Sequence, residues 1–422
     1  MKRILAGLLF LLIFTFINAQ SQFYRQYWAV FDNTVSNLGQ GERLRVNDAS
    51  MSLHETFWSR AEVKSNGLQL ISVPEALPLL DKTEFYAELW GGHPWVENKR
   101  FSINGKSFYY FPKEGTEEGN CAYSYPTVQI KPEDLVNGVN AFQFICDRGK
   151  TFWGHFIIDN MAVRCFLKAG HPDLKVAGLD TFSAIPVTSR KVLADTAVFY
   201  LEYPKEMESQ IVRVHYFAHY LGFDDDGNQQ EDDWHGYTYN KEFKNHVGTS
   251  GKAPFTVTWN TKMLPVQGKP MSVRVLVELK NNFFYQTTEL NNLSFPADRP
   301  SVQLYHCSEM PHPFWSRDKQ GKFAIIELPD DITKIESAQL WVKIWDGGEG
   351  SIKDPFTLNG LPYSVTTGRA SHEIVFNILE VMKENIKPGK NVIRLLSDTK
   401  EHGIEMLLPG PCLIVRYKKN NL

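Results

Sequence analysis

Phe101-Ser102-Ile103-Asn104-Gly105 and Phe356-Thr357-Leu358-Asn359-Gly360 are one phrase written twice, and everything else about the fold is read outward from them. In each copy the Asn-Gly dipeptide follows a Trp by fourteen residues, Trp90 in the first and Trp345 in the second, within Trp90-Gly91-Gly92 and Trp345-Asp346-Gly347-Gly348. Upstream, Phe57-Trp58-Ser59-Arg60 returns as Phe314-Trp315-Ser316-Arg317. Downstream, Gly138, Asn140 and Asp147 return as Gly389, Asn391 and Asp398, and Val163-Arg164 returns as Val415-Arg416. A repeat of this length, kept in order, marks two copies of one module.

Inside each copy, apolar and polar residues alternate over short segments separated by Asn-Gly or Gly-Gly, which is the pattern of strands joined by tight turns. Asn104-Gly105 suits a two-residue hairpin because both positions accept the positive φ that a type I′ turn requires. Phe376 to Glu384 is the main expected helix, ended by Pro388-Gly389. The expected fold class is therefore all-β: two β-sandwiches, the copies, flank a central one.

The Asn-Gly hairpin followed by Gly389-Lys390-Asn391-Val392-Ile393-Arg394-Leu395 resembles galactose-binding-like jelly-roll domains. That resemblance covers 45–168 and 302–418. Between them, Ala253-Pro254-Phe255-Thr256-Val257-Thr258-Trp259-Asn260-Thr261, with Leu264-Pro265 and Gly268, resembles a bacterial immunoglobulin-like domain over 171–300. The central module departs from that pattern by an acidic, aromatic insertion from Phe223 to Val247, and long insertions of this kind often carry function. Residues 20–44 form an N-terminal segment that the repeat does not explain.

Lys2 and Arg3 followed by an apolar run from Ile4 to Ile17 and by Asn18-Ala19 read as a secretory signal over 1–19, so the expected location is periplasmic or extracellular. No later stretch has the apolar length of a membrane-spanning helix. A net charge of −3 over 422 residues argues against nucleic acid as a partner. Five cysteines are too few for a disulfide framework; Cys121 with Cys146 is the pair to test, and Cys165 and Cys412 read as buried thiols.

Asp224, Asp226 and Asn228, followed by Asp232 and Asp233, place oxygen ligands around Gly227 in a way that suits calcium, although the terminal bidentate Glu of an EF-hand is missing. The alternative is a solvated acidic turn. His215, His219, His235 and His246 are close in sequence, but i and i+4 on a strand are about 13 Å apart, too far to chelate one metal.

Ten Trp make sugar stacking the binding chemistry to expect. Trp90 and Trp345, being repeated, are assigned to the cores, and Trp58 and Trp315 to structure. Trp95, Tyr109, Tyr110, Tyr123, Tyr125 and Trp153 occur only in the first copy; with His93 and Glu97 as hydrogen-bonding partners, Trp95, Tyr109, Tyr110 and Trp153 are the candidate ligand residues. Catalytic motifs with a contiguous signature are missing; His54, Glu55, His93 and Tyr109 are first candidates for acid/base work if chemistry occurs.

Three expectations follow from the resemblance. The leading one is an exported glycan-binding protein of polysaccharide degradation or utilisation, with a polysaccharide or oligosaccharide as partner. The others are a polysaccharide lyase or glycosidase on the same folds, and an adhesion or structural surface protein.

Overall fold

The computed structural model describes residues 22–30, 44–47, 67–92, 96–113, 122–147, 155–311 and 313–419. The signal sequence, Phe57 to Arg60, Trp95, His93, Cys121 and Trp153 lie outside them, as do His54 and Glu55.

The chain is nearly all β, as the alternation predicts. The first copy is a sandwich. One of its layers is the four-stranded sheet Leu68–Val73, Gly138–Asp147, Glu97–Ile103, Phe108–Tyr110; the other contains Leu80–Trp90 paired with His155–Leu167. Between the layers, Phe85, Phe101, Phe142, Phe144 and Phe156 are all fully buried. Phe101 and Phe85 lie 4.5 Å apart, centroid to centroid. Packed aromatic rings of this kind contribute both area and specific ring contacts.

The N-terminal segment is not separate from this sandwich. Phe23–Trp28 pairs with His155–Leu167 on one side and with Phe283–Gln286 of the central module on the other. It therefore fuses the first and central modules into a single twelve-stranded sheet. Val302–Glu309 takes the matching place beside the last strand of the second copy, pairing Val302–His306 with Cys412–Arg416, but its other partner, Lys322–Leu328, belongs to the same copy, so among the described residues it joins no strand of the central module. Over the central half of the long sheet lies the three-stranded sheet Ile185–Thr188, Thr196–Glu202, Val257–Asn260.

The repeat holds down to individual hydrogen bonds. Asn104 and Gly105 have φ of 51° and 68°, and Asn359 and Gly360 of 53° and 87°, so both hairpins turn through the left-handed region. Asn104 Nδ2 donates to Asn140 Oδ1 at 2.9 Å, and Asn359 Nδ2 to Asn391 Oδ1 at 2.8 Å. Asn140 in turn donates to the carbonyls of Val136 and Gly138, and Asn391 to those of Lys387 and Gly389. Both Asn140 and Asn391 are fully buried, so each is a polar core residue whose cost is met by a closed network.

Two expectations are corrected. Phe376 to Glu384 is not helical: Glu373–Val381 is a strand paired over nine positions with Ile335–Asp346, followed by a single 3-10 turn, Lys383–Asn385. Its Ile374, Val375, Ile378 and Val381 are β-branched and fit a pleated partner better than a helix. Trp90 and Trp345 are only half-buried and lie outside the sandwich cores; they join Tyr123, Tyr125, Phe314, Trp315 and Leu407 in an aromatic cluster where the two copies meet.

Candidate functional site

The insertion of the central module is a joint that touches both copies. Glu88, on the strand Leu80–Trp90, is fully buried. Its carboxylate accepts from Thr238 Oγ1 at 2.7 Å, Asn240 N at 3.1 Å, Lys241 N at 2.9 Å and Asn160 Nδ2 at 2.8 Å. Burial nonetheless raises its pKa, because these donors offset only part of the desolvation. On the far side, Lys343 of the second copy, also fully buried, donates from Nζ to the carbonyl of Asp225 at 2.7 Å. Both residues stand two positions before the repeated Trp. One position of the repeat thus supplies an acceptor in the first copy and a cation in the second, and the insertion is clamped between them.

The five expected calcium ligands are only partly brought together. Asp224 accepts from the backbone of Asn228 at 3.1 Å and of Gln229 at 2.9 Å. Asn228 turns its amide nitrogen, not its oxygen, toward the acids, donating to Asp226 Oδ2 at 3.1 Å and Asp233 Oδ2 at 2.9 Å. Asp232 faces outward to Lys269 at 2.9 Å. Gly227 has a positive φ of 72°, and a Cβ there would meet the Tyr123 carbonyl at 2.4 Å, so this glycine serves close approach to the first copy. With the Lys343 ammonium beside the triplet, these residues fit a closed, internally balanced loop better than an oxygen cage. Among the described residues no group of three or more His, Cys, Asp or Glu is disposed to hold a metal ion.

The four histidines do not converge on one point; only His215 and His246 share a partner, Thr249. His215 bonds to Thr249 and Glu278, His246 to Thr249, and His235 to Asp225 Oδ1 and the Tyr220 carbonyl. His219 lies 3.6 Å from Asp232. Burial, with His215 and Lys244 adding to it, drives the His246 pKa down to about 4.

Between the insertion and the outer face of the long sheet is a cleft of about 420 Å³, within the range of small-ligand sites. Tyr86, Tyr125, Trp234 and Tyr237 form its aromatic walls, and Arg164, Arg274, Asp226 and Asp233 supply its charges. Tyr125 stacks on Tyr237 with centroids 4.4 Å apart, and its buried hydroxyl has no hydrogen-bond partner among the described residues. Asp226 is pushed up to about 8, first by burial and then by the neighbouring charges of Asp225 and Asp224. A carboxyl perturbed this far, in a cleft, is a functional candidate.

Of the expected ligand residues of the first copy, the three that are described, Glu97, Tyr109 and Tyr110, do not line this cleft. Tyr109 points into the core, 9% exposed, and donates to Asp134 Oδ2 at 2.5 Å. Tyr110 is 58% exposed beside Phe108 on the outer face of the four-stranded sheet. Glu97 opens its strand opposite Asp147. His93, Trp95 and Trp153 lie outside the described residues. Of the acids assigned to calcium, Asp226, Asn228 and Asp233 do face the cleft. Arg164 was visible in the sequence only as a repeated residue and Trp234 only as part of the aromatic insertion, while Arg274 carried no local signal.

No protein-family model and no curated protein matches the chain. Among solved structures, a β-porphyranase of glycoside hydrolase family 86 from the human gut bacterium Bacteroides plebeius is 13% identical, with 69% of this chain and 45% of that one covered, at a TM-score of 0.23. BuGH86 in complex with neoagarooctaose is 12% identical over 56% of this chain and 35% of that one, at 0.24. Parabacteroides merdae β-glucuronidase is 9% identical over 69% and 37%, at 0.17. The chain thus spans less than half the length of each.

Proposed function

We propose that this chain is an exported glycan-binding protein of polysaccharide degradation or utilisation, built from galactose-binding-like jelly-roll modules around an immunoglobulin-like one, with its ligand in the cleft under the insertion. The observation that carries the reading is the composition of that cleft: Tyr86, Tyr125, Trp234 and Tyr237 line it with aromatic surface, while Arg164, Arg274, Gln230 and Asn228 set planar polar groups among them. Sugar rings have apolar C–H faces edged by hydroxyls, and a site of aromatic walls with a few convergent polar groups matches both. The test is retardation of the purified chain in affinity gels cast with plant, algal and host polysaccharides. Retardation that Trp234→Ala abolishes supports the reading; a chain that no polysaccharide retards refutes it.

A second reading, a glycosidase or lyase, is favoured by one feature. Asp226 and Asp233 both accept from the amide of Asn228, and Asp226 holds its proton to about pH 8. A protonated carboxyl next to a second carboxyl is the pairing that acid/base cleavage of a glycosidic bond uses. Release of new reducing or unsaturated ends, lost in Asp226→Asn, decides for this reading; retardation without product decides for binding alone.

A further inference from the structure

The two arginines of the cleft are built alike. Arg164 comes from the first copy and holds its guanidinium over the face of Tyr86, 4.2 Å from the ring centroid. Arg274 comes from the central module and lies over Trp234 at 4.0 Å. An arginine fixed over an aromatic face keeps its in-plane N–H donors aimed sideways, in the fork that matches a carboxylate or sulfate. Arg164 uses Nε on Gln26 Oε1 at 2.8 Å, which leaves its two terminal nitrogens for something else.

Among the described residues, neither arginine has a carboxylate within ion-pair distance. Asp233 and Glu289 lie near enough to Arg274 to favour its charge, yet burial dominates and holds its pKa below the usual arginine range. The repeat provides an internal comparison. Arg416, the counterpart of Arg164, is held by Asp195 through both terminal nitrogens at 3.1 Å and 2.8 Å. The same position is saturated by an acid in the second copy and turned toward the cleft in the first.

We infer that the cleft takes an anionic saccharide, whose carboxylate or sulfate groups meet Arg164 and Arg274 while its ring faces lie against the aromatic walls. This rests on the glycan-binding reading and adds the substrate class to it. The acids that face the same space, Asp226 and Asp233, are tied to Asn228 and so leave the arginines unpaired.

The experiment compares retardation by polygalacturonate and alginate, which carry carboxylates, by κ-carrageenan and its desulfated form, and by neutral β-glucan. The expected result is binding to one anionic group only: carboxylated polymers, or carrageenan with loss of binding on desulfation. Arg164→Gln and Arg274→Gln should each weaken that binding about 10- to 100-fold, the usual loss for one charge-assisted pair. Arg274→Lys, which keeps the charge and loses the fork, should fall between, and serves if the glutamine variants melt early. Neutral β-glucan bound as well as the anionic polymers, or anionic binding that both variants leave intact, overturns the anionic assignment while the glycan-binding reading stands. Failure of every polymer overturns both.

Discussion

Lys343→Met isolates the joint. The ammonium it removes is fully buried, donates at 2.7 Å to the Asp225 carbonyl, and is favoured by the charges of Asp224, Asp225 and Asp226. Methionine matches the stem in volume but strands the carbonyl and the acidic triplet, and removing one partner of a buried charge cluster costs about 3–5 kcal/mol. With separate hydrophobic cores in one chain, unfolding is not treated as two-state, so the loss is best read locally, as cleavage within 223–247 by a protease that acts on opened segments. When opening is fast relative to cleavage, that cost is roughly a hundred- to a few-thousand-fold faster cut. Chelation separates the alternatives: with Lys343 as the resident cation, EDTA leaves wild-type cleavage unchanged. A Lys343→Met chain cut at the wild-type rate, or a wild-type chain opened by EDTA, refutes the reasoning.

Asn140→Ala and Asn391→Ala each break the same buried network, and each should cost about 2 kcal/mol, seen as a matching fall in denaturation midpoint for the two variants. Asp226 has a folded pKa of about 8, above its unfolded value, so the stability from its proton is complete below about pH 4 and is lost as pH rises through 8; Asp226→Asn should therefore melt above wild type by a margin that grows across that window and is greatest above it. Glu88→Gln puts an amide among four donors and should loosen Thr238 to Lys241, giving faster amide exchange in that segment at neutral pH. Cys165 and Cys412, fully buried with burial raising both thiols, should resist alkylation in the native chain and react only on unfolding.

What could be read from the sequence was local. Asn104-Gly105 and Asn359-Gly360 announced their hairpins because positive φ at both positions is a property of the dipeptide itself. Tyr109 could have been placed as well: in Phe108-Tyr109-Tyr110 the period of two puts the middle ring inward if the outer two face solvent. Phe23–Trp28 gave no such clue, because its partners lie in His155–Leu167 and Phe283–Gln286, far along the chain. The same holds for the cleft. Its arginines, Trp234 and Tyr86 meet only because the N-terminal strand fuses two modules into one sheet, and no spacing in the sequence encodes that fusion.

The insertion was legible as unusual; its composition suggested an ion, and the structure places the ammonium of Lys343 beside the same acids. The reason lies in how the repeat diverged. Glu88 and Lys343 occupy one position of a duplicated strand, both fully buried, and in a symmetric pair of modules neither charge would have a use. A single loop lying between the copies cannot present the same surface to each; here it shows backbone N–H groups of Asn240 and Lys241 to the first and the Asp225 carbonyl to the second. Opposite chemistry at equivalent positions is what such a loop requires. The copies are therefore interchangeable in fold and not in place, and the cleft can form on the first alone, where Arg164 has no counterpart of the Asp195 that occupies Arg416.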